Sequence, residues 1–252
     1  MSYLALQNVS IQFGGLKAVD GVSFAVEKGQ IFTIIGPNGA GKTTLFNLIS
    51  RLYAASSGKI VFKGEDITQV PAQQIAARGI ARTFQNIELF DNASTLQNLL
   101  VGRHRHSNTR FFEDLFFLPR VRREEVEHRR AAEEVMEFLR LQRYRDSLIG
   151  GLPYGVRKVV EVGRALCVGP ELLLLDEPSS GLNVDETDRM ADWILEINRR
   201  LGITILMVEH DMSLVSRVSD RVVALNYGRI MAEGSAQEVQ SHPDVVAAYL
   251  GA

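Results

Sequence analysis

The 252-residue sequence predicts an α/β fold with a mostly parallel sheet, an antiparallel β subdomain at the N-terminus and an α-helical subdomain inserted over about residues 86–155. Three observations predict it. Short apolar runs at 30–35, 172–175 and 203–208 have the length and continuity of strands buried on both faces. Segments of helical periodicity separate these runs. A glycine-rich stretch at 36–44 stands between the first run and a helix that begins near Leu45.

That stretch reads Gly36, Pro37, Asn38, Gly39, Ala40, Gly41, Lys42, Thr43, Thr44. It meets the four fixed positions of a phosphate-binding loop, at Gly36, Gly41, Lys42 and Thr43. Gly39 and Gly41 allow backbone conformations that a side chain would forbid. Successive N–H groups can then point inward at an anion, above the positive end of the following helix. Lys42 supplies a point charge for terminal phosphates, and the Thr43 hydroxyl can hold Mg²⁺. A plain glycine turn before an ordinary helix would explain the glycines, but not the Lys-Thr pair in this context. The expectation is a nucleoside triphosphate site.

Composition bounds the rest. Hydrophobic content of 46% is ample for a packed core, and a net charge of −2 carries no basic footprint, so nucleic acid is not the expected partner. The single cysteine, Cys167, excludes a disulfide framework and reads as a small buried hydrophobe. No apolar run approaches the roughly 18 residues of a membrane span, and no basic-then-apolar signal pattern opens the chain. Any membrane role must come through a partner.

In chain order, Leu4 and Leu6, then Val22, Phe24 and Val26, alternate as antiparallel strands, with Phe13 ending the first. Residues 59–63 lie between two glycines and read as another strand. Pro71 suits a helix start and Gly79 its end. Residues 80–84 read as a strand leading to Gln85. Leu96, Leu99 and Leu100, and later Ala132, Val135, Met136 and Leu139, have helical spacing. Glu125 and Arg129 make an i,i+4 pair on the opposite face. A turn at 152–155 precedes a further helix through Val156, Val159, Val160, Gly163, Leu166 and Cys167. Residues 185–200 read as a helix. Residues 221–225 and 228–231 read as a hairpin before a short terminal helix.

Acidic residues directly after buried strands are costly unless something pairs with them. Asp176 is placed to hold the water shell of Mg²⁺. Glu177 is the candidate for orienting or deprotonating an attacking water. His210 can contact a γ-phosphate, and Gln85 can sense Mg²⁺ or the water. Singly, His210 and Gln85 are ordinary polar residues. Their joint position at strand ends, where open α/β sheets bind ligands, makes them a site.

With these residues in view, the chain resembles the nucleotide-binding subunit of an ABC transporter along nearly all its length. The phosphate loop at 36–44, Gln85, the strand ending in Asp176-Glu177, a signature at 152–156, a loop at 179–183 and the switch His210 fall in the family's order. The resemblance implies a P-loop NTPase core, ATP and Mg²⁺ as ligands, and adenine stacked on Phe13. It also implies a head-to-tail pair of ATPase subunits, with Gly155 of one facing the nucleotide of the other. Permease subunits in the membrane would be the direct partners, a periplasmic or extracellular substrate-binding protein an indirect one. The chain would then sit on the cytoplasmic face of the membrane. Within the family, Phe13-Gly14-Gly15-Leu16, Arg82-Thr83-Phe84-Gln85, the 152–155 stretch and the ending at 243–251 resemble the ATPases of branched-chain amino acid importers.

Two departures stand out. Pro153 and Val156 occupy signature positions where the family usually has Ser and Gln, and Asn183 stands where Asp is frequent. The first removes a hydroxyl that would face the partner's γ-phosphate, so a heterodimer with a different ATPase is expected over a homodimer. The aromatic cluster Phe111, Phe112, Phe116 and Phe117, up to Leu118 and flanked by Arg103, Arg105 and Arg110, has two readings: packing inside the helical subdomain, or facing the permease or lipid. A chromosome- or ribosome-associated relative would carry a coiled coil or a second cassette, which this chain lacks. A non-hydrolysing subunit would lack Glu177 or His210.

Overall fold

Two facts of chain chemistry set the architecture: short strands too apolar to face water, and glycines at the points where the chain must reverse. The computed structural model describes residues 2–85, 87–104 and 119–250. They fall into two compact units, Met1–Arg82 with Glu171–Ala252, and Thr83–Pro170.

The first unit holds two sheets. In the smaller one, β1 (Leu4–Phe13), β2 (Leu16–Val26), β4 (Ser57–Phe62) and β5 (Glu65–Asp66) pair antiparallel in the order β2-β1-β4-β5. Lys63 and Gly64 turn β4 into β5 with φ of 53° and 82°. Two successive left-handed residues make the tight hairpin turn whose twist matches its strands. The expected strand at 59–63 therefore begins earlier and stops before Lys63.

The larger sheet contains β3 (Ile31–Ile35), β6 (Ile80–Arg82), β7 (Leu172–Asp176), β8 (Thr204–Val208), β9 (Arg221–Asn226) and β10 (Arg229–Gly234), in the order β10-β9-β3-β8-β7-β6. All pairings are parallel except the β9–β10 hairpin. Leu172, Leu173, Leu174 and Leu175 are fully buried, each such side chain contributing about 1.5–3 kcal/mol. Phe24 of the small sheet stacks on Phe32 of β3 at 5.0 Å, so the two sheets share one core.

Helices α1 (Lys42–Ile49), α5 (Val184–Leu201), α6 (Met212–Val218), α7 (Ala236–Gln240) and α8 (Pro243–Leu250) complete this unit. The helix expected between Pro71 and Gly79 is instead two 3-10 turns, Ala72–Gln74 and Ala76–Arg78. Between residues 72 and 78 only Ile75 is buried, and so short a segment cannot repay α-helix nucleation. Gly79 ends it in the left-handed conformation.

The second unit is helical, with α2 (Thr95–Arg103), α3 (Pro119–Phe138) and α4 (Tyr154–Cys167). It runs to Pro170, past the expected limit of 155, because α4 packs on α2 and α3. Ala132 and Met136 of α3, with Leu139 just beyond it, are buried as their spacing predicts. Gly102 lies where a Cβ would fall 2.2 Å from the Arg164 carbonyl, so α2 and α4 touch backbone to backbone. The expected strand at 80–84 stops at Arg82 for a local reason: the Phe84 N–H donates to Glu161 Oε1 on α4 at 3.1 Å and leaves the ladder. Arg105, Arg110 and the aromatic cluster at 111–118 lie outside the described residues.

Candidate nucleotide site

The sheet order sets the site. Parallel pairing aligns Ile34 of β3 with Val208 of β8, and Val208 with Asp176 of β7. The carboxyl ends of three neighbouring strands therefore present the loop at 36–41, the pair Glu209-His210 and the pair Asp176-Glu177 side by side. This is the edge where open α/β sheets bind ligands.

The loop is shaped for a backbone cradle. Gly36, Gly39 and Gly41 have φ of 151°, 79° and 100°. A Cβ on Gly36 would fall 2.3 Å from the Leu225 carbonyl, and one on Gly41 would fall 2.4 Å from that of Ala18. Pro37, Asn38 and Ala40 complete the turn, and Asn38 is exposed. Lys42 is 7% exposed, and its Nζ donates to the Gly36 and Pro37 carbonyls at 2.6 and 3.0 Å. Burial holds this ammonium below the usual lysine range, opposed by the nearby Glu177 and Asp176 carboxylates. A desolvated cation under a glycine loop, at the start of α1, fits a polyphosphate. Thr43 is exposed and Thr44 half-buried in the same first turn.

Asp176 is 1% exposed and receives Arg82 Nη2 at 2.8 Å. The same guanidinium donates through Nη1 to Asn47 Oδ1 and Ser50 Oγ at 2.7 and 3.0 Å. Arg82 thus ties the acid of β7 to α1, the helix that carries Lys42 and Thr43. Glu177 has φ of 48°, rare for a residue with a side chain, while its N–H donates to the Val208 carbonyl at 2.9 Å. Such local strain persists where the surroundings enforce it, and clusters at functional sites. His210 Nδ1 lies 3.8 Å from Glu177 Oε2 and 3.9 Å from Glu209 Oε2, with the ring half exposed.

No group of three or more His, Cys, Asp or Glu suited to a metal occurs among the described residues. Mg²⁺ carried in on phosphates needs one or two protein oxygens rather than a cage. The oxygen donors of Thr43 and Asp176 fit that cation. Phe13 is 45% exposed and meets Tyr53 edge-on at 5.2 Å, which leaves a ring face for a base.

The first unit therefore brings together residues 36–44, Asp176, Glu177 and His210, while Phe13 stands at the end of β1 against Tyr53. Gln85 and Gly155 belong to the second unit. Gln85 is exposed, and its carbonyl accepts from Lys158 Nζ at 3.4 Å. Gly155 lies in the first turn of α4, whose N-cap, Pro153, offers no side-chain hydrogen bond. Asn183 serves the fold directly, because it caps α5 reciprocally with Glu186, accepting at 3.0 Å and donating at 3.1 Å. Asp would cap equally well.

Arg82 and Glu209 enter the site only through the tertiary structure. Both carried a signal, a charge inside or directly after an apolar strand.

A glycine cradle with a buried lysine, beside strand-end acids and a histidine on a parallel sheet, defines a nucleotide-binding cassette. The chain belongs to the ABC transporter family, whose description "ABC transporter" matches residues 19–180. Residues 229–252 match a narrower one, "Branched-chain amino acid ATP-binding cassette transporter". The chain is 41% identical to the high-affinity branched-chain amino acid transport ATP-binding protein BraF of Pseudomonas aeruginosa, over 98% of this chain and 97% of that protein. It is 39% identical to the corresponding protein LivG of Salmonella typhimurium, at the same coverage. Among solved structures, the ADP conformation of an ATP-binding cassette of an ABC transporter superposes with a TM-score of 0.88 at 36% identity, covering all of both chains. The chain is thus an ABC ATPase subunit homologous to these ATP-binding proteins.

Proposed function

We propose that this subunit binds Mg-ATP between its loop at 36–44 and the ends of β7 and β8, and hydrolyses it to drive import of branched-chain amino acids or related small substrates through a membrane permease. The observation that carries the reading is the alignment of Lys42, Asp176, Glu177 and His210 on adjacent strand ends. The names of the relatives supply the cargo class.

In this reading Lys42 exchanges its two loop carbonyls for phosphate oxygens, and Phe13 stacks on adenine, a contact of about 1–3 kcal/mol for a base. Thr43 and Asp176 hold Mg²⁺, which neutralises charge on the phosphates when bound. Glu177 accepts the proton of the attacking water. His210 faces Nδ1 to two carboxylates, which leaves Nε2 for the γ-phosphate. Gln85 responds to the metal or the water. No described helix is long and apolar enough to cross a membrane. The subunit works at the cytoplasmic face through its permease partners, an association supported by the transport role of its relatives. An external substrate-binding protein acts only indirectly.

The assembly pairs this chain with a second, different ATPase. At Pro153 the first turn of α4 offers backbone donors such as that of Gly155, without a hydroxyl. A lost hydrogen bond to a charged group is worth about 1.5–3 kcal/mol, so this chain's contribution to the partner's site is the weaker half. Pro153→Ser with Val156→Gln should tighten the partner's nucleotide more than this chain's own. Equal changes at both sites, or a native transporter holding only this ATPase, would sink the pairing.

The test of function is reconstitution with the permease in vesicles. ATP-dependent uptake with phosphate release is expected. Glu177→Gln should keep ATP binding and lose turnover by about 10²–10⁴-fold. Near-normal turnover would place the base elsewhere.

A further inference from the structure

Glu209 follows β8 and is fully enclosed, 0% exposed. A buried carboxylate is costly unless its oxygens are met by donors, and here three backbone amides meet them. Oε1 accepts from the Ser179 N–H at 2.8 Å. Oε2 accepts from the N–H groups of His210 and Asp211 at 2.8 and 3.1 Å. The two oxygens therefore serve two different loops. One is the segment after β7 that begins with Glu177 and contains Ser179. The other carries His210 and leads into α6, which Asp211 caps through the Ser213 and Leu214 amides. The Glu209 N–H in turn donates to the Ile34 carbonyl of β3, two residues before Gly36, at 3.2 Å. One residue thus touches the strand of the phosphate loop, the acid loop and the switch loop.

We propose that Glu209 is a positioning residue for ATP hydrolysis: its carboxylate cross-ties the Glu177–Ser179 segment to the His210 loop and so sets the two chemical groups against each other. This deepens the ATPase reading and rests on it. Charge-assisted bonds to amides are short and strong, and their geometry reaches the reacting groups directly. Glu177 Oε2 and His210 Nδ1 are 3.8 Å apart across the tie. Glutamine keeps the shape but offers one acceptor oxygen, and turns an NH₂ toward amides that also donate. One loop then loses its anchor while the phosphate cradle, built from Gly36, Gly41 and Lys42, is untouched.

The experiment uses the chain assembled with its partner ATPase and permease in vesicles, with Mg-ATP: steady-state phosphate release and binding of a fluorescent ATP analogue for wild type, Glu209→Gln, Glu209→Asp, His210→Ala and Glu209→Gln/His210→Ala. The expected result is kcat lowered at least about tenfold in Glu209→Gln, with KM and analogue affinity within about twofold, the split of an interaction made in the transition state. In the His210→Ala background the same change should cost less than about twofold, because residues acting as a unit are not additive. Glu209→Asp keeps the charge but withdraws it from Ser179, and should fall between wild type and Glu209→Gln. Should Glu209→Gln not fold, full kcat in a folded Glu209→Asp chain overturns the proposal, and reduced kcat at unchanged KM supports it. Full kcat with only a lowered melting point in Glu209→Gln, or full additivity with His210→Ala, also overturns it. Absence of phosphate release from the wild type overturns the ATPase reading instead, a distinct outcome.

Discussion

Arg82 Nη2 donates to Asp176 Oδ2 at 2.8 Å, with the two side chains 8% and 1% exposed. A buried pair is weak evidence of net stability, yet removing one partner is strongly destabilising. The guanidinium also reaches Asn47 and Ser50 on α1 and lies over the Phe46 ring at 5.5 Å. Arg82→Met should therefore cost about 3–5 kcal/mol, read from urea unfolding. Arg82→Met/Asp176→Asn should recover much of that loss, since neither charge is then stranded. Equal losses in the single and double variants would show that the charge pair is not the cause.

Lys42 presents a different balance. Its Nζ makes two bonds to loop carbonyls, but burial penalises its charge. These effects oppose each other, so Lys42→Met should move the nucleotide-free melting point by no more than about 4 °C. The gain from Mg-ATP, about 2.7 kcal/mol at a hundredfold excess over Kd for the wild type, should vanish. A collapse of melting without nucleotide would make Lys42 structural.

Gly102 sets helix propensity against packing. Alanine is better than glycine in a helix by about 1 kcal/mol. Here its Cβ would lie 2.2 Å from the Arg164 carbonyl and 2.9 Å from Cys167 Cβ. Both belong to the neighbouring helix, and overpacking costs about 1–3 kcal/mol. Gly102→Ala should thus destabilise by up to about 2 kcal/mol in chemical denaturation. A stabilised variant would mean that α2 and α4 separate readily.

Cys167 is 2% exposed, and burial pushes its thiol up to about 12. The thiolate is the nucleophile, so burial holds Cys167 in its unreactive thiol form. Iodoacetamide should leave Cys167 unmodified in the folded protein and label it fully in denaturant. Rapid labelling under native conditions would contradict its enclosure.

Much of this was legible in the chain itself. Gly36 and Gly41 specify a tight loop around Lys42 through local backbone freedom, and the apolar runs specify buried strands. Turns at Gly14, Gly64 and Gly228 follow from positive φ. These are properties of neighbouring residues, and local propensity governs them. Tertiary structure alone decided which strands are neighbours. β3 sits between β8 and β9, strands more than 160 residues later. That placement aligns Gly36, Glu177 and His210, and joins Arg82 to Asp176 across 94 residues. It also decided that Asn183 caps a helix and that Glu209 spans two loops. A buried charge announces in sequence that it needs a partner. Which partner it finds depends on the packing of distant strands, which no local pattern encodes.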